Sequence, residues 1–488
     1  MSGKVKIAVI TDIHFGDEIS IADRLGQIGD ILLLRTVHRL NRMIQPDITL
    51  VLGDVLDDPE SSKARERLEH MQEILKLLES PWMAIPGNHD PDEEHFYEAI
   101  ERPPEFMDIN GVRFVPFIDP EAPDWNARRM PKNLEKMKRV RSGHDGPIVA
   151  LQHVPLFPPD QSDCCFNYTN IDEVLEAVRA NNFTLSIGGH YHAGTELIRD
   201  GRHSFVVGKA LCESPFSFME IDLDGEDIRV TQHEHRMPPE LELFDYHSHT
   251  QFAYCSENMD MAKSPMLAEN FGLRGMAFTE HSGQLYFDNH TYWSGELCYE
   301  GIKGANGLQD RMTDFWAAAE KAGRDNLIIG LEVDSDFQGN MILQDTDRDR
   351  AQILNGAVHQ LSELKKPEVD LERAADEFLG ILERFTQTGI QILAHPFRIF
   401  RNHEVPPRLF KPVVRMLKEN GVAAEMNFHS NRPQPEFVKL CIDAGVKITF
   451  GSDAHNLYEV GEFAPHLKFL TEIGYEGDLK DVMAKIDE

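Results

Sequence analysis

The sequence predicts an α/β protein made of two successive halves, each built around parallel strands. Three observations lead there. Short apolar runs that end in polar residues alternate with amphipathic helical stretches along the chain. The segment "RMPPELE" (236–242) interrupts this alternation with two prolines that neither a helix interior nor a central strand accommodates. A strand-like run then restarts at "LFDYHSHT". With 488 residues, the chain also exceeds what one ordinary core organises.

In the first half, "VKIAVITD" reads as a strand, "GDILLLRTVHRLNRMI" as a helix, "ITLVLGD" as a strand, "ARERLEHMQEILKLLES" as a helix and "WMAIPGNHD" as a strand. Such short connections imply a mainly parallel sheet covered by helices, with chemistry outside the carboxyl ends of the strands. Strands "PIVALQHVP" and "TLSIGGHYHAG" follow. The segments "HSFVVGK", "FSFMEIDLDG" and "IRVTQHEH" read as hairpin strands that close the half. In the second half the strand candidates are "GMAFTEHS", "NLIIGLEVDSD", "AQILNGAVHQ", "IQILAHPF", "VAAEMNF" and "VKITFGSDAH", with helices such as "DRMTDFWAAAEKAG" and "ADEFLGILERFTQTG" between them. Six or seven strand-then-helix units predict a small α/β barrel with its reactive residues on the carboxyl rim.

A formal net charge of -33 disfavours binding nucleic acid or anionic lipid through a general field, so any phosphate must be captured locally. There is no apolar run long enough to span a membrane and no secretory leader, which leads us to expect a cytoplasmic protein. The six cysteines form no C-x-x-C pair or disulfide framework and are expected to be reduced thiols. Histidine is the unusual residue, with 22 copies.

Half of those histidines fall at predicted strand ends. In the first half these ends carry Asp12-x-His14, Gly53-Asp54, Gly87-Asn88-His89-Asp90, His153 and His190-x-His192. Carboxylate and imidazole donors in this mixture suit two divalent ions sharing one carboxylate. A lone strand-end Asp or His is more often a cap, but five members closing strands in order reverse that expectation. The ordered set resembles the calcineurin-type metallophosphoesterase family over residues 1–236, which implies a β-sandwich flanked by helices. The resemblance implies one ion held by Asp12, His14, Asp54 and His192, a second held by Asp54, Asn88, His153 and His190, and a leaving-group or phosphoryl role for His89. The ions implied are manganese, iron or zinc. The interval before His153 contains a basic run, Arg128, Arg129, Lys132, Lys136, Lys138, Arg139 and Arg141, best read as the solvated face of a helix.

The second half repeats the logic with His247-x-His249, His281, Glu332, His359, His395 and Asp453-x-His455. Side chains alternate along a strand, so His247 and His249 face the same way. This set resembles the PHP (polymerase and histidinol phosphatase) family over residues 241–488 and implies a distorted (β/α)7 barrel with two or three zinc, manganese or iron ions. The resemblance assigns His247, His249, Glu332 and Asp453 to a first ion, with Glu332 bridging to a second at His359. His281, His455 and His395 would complete a third position or contact phosphate. Where many relatives have a further histidine, this chain offers Cys255 and Glu257, and the usual fate of a free cysteine favours a structural Cys255. Arg398 is a candidate phosphate clamp, since a guanidinium matches two phosphoryl oxygens. His38, His70 and His429 fall outside every motif and are assigned no chemistry.

Both resemblances imply phosphoester hydrolysis. The expected protein is a bifunctional metal-dependent phosphoesterase, its front half opening a phosphodiester, cyclic diesters included, and its rear half removing the phosphomonoester. The expected partner is a small phosphorylated substrate, with no membrane and no nucleic acid; self-association into a homo-oligomer is left open. The alternatives are a nuclease acting on DNA or RNA, which the charge disfavours, and a regulatory or binding module with one active domain.

Overall fold

The computed structural model describes residues 4–17, 23–305 and 311–486. The chain divides into two compact units, residues 1–236 and 237–488.

The first unit contains β1 (Lys4–Ile10), β2 (Ile48–Leu52), β3 (Trp82–Ile85), β4 (Met107–Ile109), β5 (Val112–Pro116), β6 (Glu121–Ala122), β7 (Asn126–Ala127), β8 (Ile148–Leu151), β9 (Leu185–Gly188), β10 (Ile198–Asp200), β11 (His203–Val207), β12 (Ser217–Asp224) and β13 (Asp227–Glu234). The strand pattern alone suggests one sheet, whereas the family resemblance implies a sandwich; the chain builds two sheets. β1, β2 and β3 pair in parallel, extended by the antiparallel hairpin β12–β13. β5, β8, β9 and β11 form a second parallel set with β4 and β10 at its edges. Alternation explains how the two sheets share a core. Val5, Ile7, Val9, Leu50 and Leu52 of the first sheet and Phe114, Val149, Leu151, Leu185 and Ile187 of the second belong to one buried cluster, so the sheets face each other as a sandwich. The neighbouring residues Ile148, Ala150, Phe205 and Val207 join a different cluster with Met137, Val140, Val174 and Val178, which lie on the helices Pro131–Arg141 and Ile171–Ala180. Each central strand is apolar on both faces, which is why one sheet and two were indistinguishable from the hydrophobic pattern.

The basic run divides in the structure. Lys132, Lys136, Lys138, Arg139 and Arg141 lie on the helix Pro131–Arg141, as the solvated-face reading expects of most of them. Arg129 is fully buried, with Nε 2.9 Å from Asp119 Oδ2, Nη2 3.1 Å from the Tyr168 hydroxyl and its guanidinium over the Phe117 ring.

The second unit contains β14 (Phe244–Asp245), β15 (Gly275–His281), β16 (Leu327–Asp334), β17 (Leu354–Ala357), β18 (Ile392–Leu393), β19 (Ala423–Asn427) and β20 (Ile448–Gly451). All seven pair in parallel in chain order. The first and last segments meet through Tyr246 N to Phe450 O (3.1 Å), His249 N to Ala454 O (3.1 Å) and Asp453 N to His247 O (2.7 Å), which nearly closes the barrel. The helix Leu371–Phe385 is capped by Asp370, whose side chain accepts from Glu372 N and Arg373 N. It buries Ala374, Phe378, Ile381, Leu382 and Phe385 on one stripe.

Truncating Arg129 leaves Asp119 as a buried, uncompensated charge. Arg129→Ala should therefore cost the first unit about 3–5 kcal/mol in denaturant unfolding, whereas Lys138→Ala on the exposed helix face should stay within about 0.5 kcal/mol.

Candidate metal centres

In the first unit every predicted site residue lies just past a strand: Asp12 and His14 after β1, Asp54 after β2, Asn88 and His89 after β3, His153 after β8, and His190 and His192 after β9. Parallel pairing points these carboxyl ends the same way within each sheet. Four of the residues adopt left-handed backbone: Asp12 (φ 54°), His14 (φ 49°), Asp54 (φ 50°) and His190 (φ 67°). For non-glycine residues that conformation costs about 1–3 kcal/mol each and persists where surrounding contacts over-determine it.

Two groups of donors meet at one carboxylate. Asp54 Oδ2 lies 3.5 Å from His14 Nε2 and 3.3 Å from His153 Nε2. On the first side, His14 Nε2 faces His192 Nε2 at 3.2 Å, and Asp12 Oδ1 is 3.4 Å from His192 Nε2. On the second, Asn88 Oδ1 is 3.1 Å from His153 Nε2, and His190 joins Asp54 and His153 in one cluster of donors. His190 Nε2 is buried with no hydrogen-bond partner. Two imidazole nitrogens facing at 3.2 Å, a buried carboxylate and an orphaned nitrogen all call for a positive charge at their centre. The protonation equilibria agree. Burial opposes a charged His153, yet Asp54 pushes it up to about 10; burial opposes a charged His192, yet hydrogen bonds to Asp12 and Glu213 push it up to about 9. A divalent cation satisfies the same demand, so these residues fit the ions the sequence implied.

The other ring nitrogens are tied back. His14 Nδ1 is 3.3 Å from Asp57 Oδ1, His192 Nδ1 is 2.5 Å from Glu213 Oε1, and His153 Nδ1 is 2.7 Å from the Leu52 carbonyl. Such partners fix the tautomer and aim Nε2 inward. Asp90 accepts from Val55 N, Leu56 N and Gly87 N, which locks the loop bearing Asp54 to the loop bearing Asn88. Burial, then the field of Asp54, pushes Asp90 up to about 7.

In the second unit the centre is Glu332 on β16. Its Oε1 lies 2.7 Å from His395 Nε2, 3.4 Å from His359 Nε2 and 3.7 Å from His247 Nε2. Its Oε2 lies 2.6 Å from His281 Nδ1 and 3.8 Å from His249 Nε2. Asp453 Oδ1 is 2.9 Å from His249 Nε2 and 3.6 Å from His247 Nε2. His455 packs its ring 4.3 Å from that of His249 and bonds through Nδ1 to the Asp453 carbonyl. All eight predicted ligands are therefore brought together. His247 Nε2 and Glu332 Oε2 are buried without hydrogen-bond partners. Burial opposes a charged His359, but Glu332 and then Asp334 push it up to about 10. Arg398 is in the same place, its Nη1 against Asp453 Oδ2 and its Nη2 4.0 Å from Glu332 Oε1.

Carboxylates again hold the outer nitrogens: Glu425 on His247 Nδ1 (2.8 Å), Glu280 on His249 Nδ1 (3.1 Å) and Asp334 on His359 Nδ1 (2.7 Å). His281 is turned the other way, with Nε2 3.6 Å from Cys255 Sγ. His429, given no role by the sequence, belongs to this site: it stacks on His455 with centroids 4.5 Å apart and bonds Glu459 through Nδ1 at 3.0 Å.

The calcineurin-like phosphoesterase family model matches residues 5–194, and the PHP domain model matches residues 245–429. The chain is a calcineurin-like phosphoesterase domain followed by a PHP domain. A probable phosphatase from Acetivibrio thermocellus is 35% identical over 102 residues, covering 19% of this chain and 42% of that protein. A probable phosphatase from Thermoanaerobacter sp. is 25% identical over 251 residues, covering 49% of this chain and 89% of that protein. Among solved structures, a dimetal phosphatase from Danio rerio is 14% identical, with a TM-score of 0.39 and coverage of 47% of this chain and 98% of that one. A histidinol phosphatase homologue from Listeria monocytogenes is 15% identical, with a TM-score of 0.34 and coverage of 45% and 97%. The two domains, beside relatives named as phosphatases, mark the chain as a metal-dependent phosphoester hydrolase.

The shared position of Asp54 has a measurable consequence. Asp54→Asn in the full chain should lower metal content by both ions of the phosphoesterase domain, and His153→Ala by one, as read by elemental analysis of the purified protein. Equal losses for the two variants would show that Asp54 is not shared.

Proposed function

We propose that the phosphoesterase domain opens phosphodiesters, cyclic diesters included, and that the PHP domain hydrolyses the resulting phosphomonoester. The observation supporting this reading is the pair of separate cation-demanding clusters, one centred on Asp54 and one on Glu332, in a single chain. Ions of the manganese, iron or zinc class would supply Lewis acidity toward phosphoryl oxygens and lower the pKa of water beside phosphorus. The remaining work belongs to side chains. His89 donates Nδ1–H to the Asp57 carbonyl (2.9 Å), while its ring lies 4.8 Å from that of His14, so Nε2 is the atom available to protonate a leaving oxygen. In the PHP domain Arg398, His429 and His455 line the cavity that also holds His281, His359 and His395. Arg398, whose Nη1 lies against Asp453, brings its guanidinium to the cavity wall where it would meet a phosphoryl group, and His429, anchored at Nδ1, presents its other nitrogen.

The PHP centre has room for a third cation position in this proposal. Ligand atoms of His249, His281 and His455 cluster together, and Cys255 sits against His281 Nε2 at 3.6 Å, with Gln284 Nε2 3.4 Å from its sulfur. Glu257, the other candidate, is bonded to Asn456 Nδ2 at 2.7 Å. Thiolate suits zinc-like ions. Cobalt(II) loaded into the protein should give a thiolate charge-transfer absorption that Cys255→Ser removes while the visible d–d bands remain; persistence of the band in the variant would assign Cys255 to packing alone. All six cysteines are free thiols, in keeping with a reducing cytoplasm.

The division of labour is tested by product analysis on the full chain. His89→Ala should lower diester opening by about 100-fold or more while monoester hydrolysis continues. His249→Ala should let the monoester accumulate in place of inorganic phosphate. A single lesion that stops both reactions would overturn the reading.

A further inference from the structure

The chain has four tryptophans. Trp316 is buried, its Nε1 bonded to Asp347, and Trp82 opens β3. The other two are exposed: Trp125 by 57% and Trp293 by 54%. A single exposed aromatic needs no explanation. These two, however, line two cavities that are each bordered by residues of one donor cluster. Trp125 borders a cavity of about 560 Å³ that also reaches Asn88, His153, Phe117 and Lys132. Trp293 borders one of about 530 Å³ that reaches His281, His359, Arg398 and His455. Both volumes lie in the range of small-molecule sites.

Each indole is placed beside its cluster by its own chain segment. Trp125 sits in the tight turn between β6 and β7, where Asp124 (φ 62°) and Trp125 (φ 60°) are consecutive left-handed non-glycine residues. Trp125 lines the same cavity as Asn88 and His153, which places the turn beside the candidate metal ligands. Backbone of this kind is kept where surrounding contacts demand it. Trp293 lies on the short helix Asn289–Ser294, capped by Asp288. Its neighbour Tyr292 meets it edge-on at 5.1 Å and points its hydroxyl to within 3.5 Å of His281 Nδ1. The buried Tyr292 thus anchors the segment at the metal centre and leaves Trp293 at the mouth.

We propose that Trp125 and Trp293 are stacking walls for the same flat ring, a nucleobase, so that the substrate of both domains is a nucleoside phosphoester of mononucleotide size. A π-face paired with a local phosphate trap recognises this class without a basic field, and the charge of -33 excludes a long polyanion from the general surface. The inference rests on the two-step reading for its substrate order, but ring stacking itself does not require turnover.

The test uses the intact, manganese-loaded chain. Kinetics are compared on a cyclic nucleoside diester and a ring-free alkyl diester, and on a nucleoside monophosphate and glycerol phosphate. Trp125→Ala should raise KM for the nucleoside diester about ten-fold, the size of one base stacked on an aromatic side chain, with kcat and the ring-free diester unchanged. Trp125→Phe should restore most of the loss. Trp293→Ala should do the same to the nucleoside monophosphate alone. In parallel, nucleoside diester and monophosphate should quench indole fluorescence and inorganic phosphate should not, Trp125→Ala losing the diester's quenching and Trp293→Ala the monophosphate's. Ring-free substrates that suffer equally, an unchanged KM, or p-nitrophenyl phosphate matching the nucleotide would each overturn the nucleobase assignment. Quenching that is lost in the variants without any hydrolysis by the wild-type protein would uphold the stacking walls and overturn the two-step reading instead.

Discussion

Buried negative charge dictates the architecture of both domains. Asp54 and Glu332 are almost wholly removed from water, and the one arginine that reaches Glu332, Arg398 at 4.0 Å, is shared with Asp453. A carboxylate in that position is tolerable only where positive charge gathers around it. Imidazoles supply it conditionally, by taking up protons or by giving their nitrogens to a cation. Five rings around Glu332 and two within 3.5 Å of Asp54 Oδ2 are therefore coupled to whatever cation is present, and the stability of each domain's rim is tied to the occupancy of its centre.

A ring placed near a carboxylate still has two nitrogens and can rotate. Asp57, Glu213, Glu425, Glu280 and Asp334 remove that freedom by engaging Nδ1. The left-handed residues do the same work on the backbone. Asp12, Asp54 and Asp453 end their strands with φ near +50°, turning a side chain that would have continued the pleat into the space between strands. The strain is offset by contacts such as those of the Asp12 carboxylate, which accepts from His190 N and the Thr11 hydroxyl. One group thereby orients the chain of another.

The residues legible in the sequence are those whose spacing is set by strand geometry. His247 and His249 lie two apart on one face, and Asp54, Asn88 and His153 each close an apolar run, so local pattern sufficed to find them. The barrel was equally legible, because every strand repeats the same unit in chain order. What escaped depends on distance in the chain. Glu213 reaches His192 from 21 residues away and Glu425 reaches His247 from 178, with no motif marking either acid. His429 looked idle because its partners, His455 and Glu459, arrive from the next strand end. Arg129 looked like part of a solvated run because charge runs carry no signal of burial; only the folded chain reveals Asp119 and Tyr168 beside it.

That buried arginine explains how an acidic protein can handle phosphate. Several of its arginines are committed: Arg129 to Asp119, Arg113 to Asp108, Arg408 to Glu372 and Asp376. With a net charge of -33 the general field is negative, so anion capture, in the proposed reading, would be confined to the two sites where carboxylates demand cations. In the proposed reading a phosphoryl group would be attracted there only once cations overcompensated the carboxylates, which would tie substrate affinity to metal loading. Such a site would favour ligands that combine one phosphoryl group with a neutral surface at short range, because a more highly charged molecule would gain nothing from the rest of the protein and would be repelled by it.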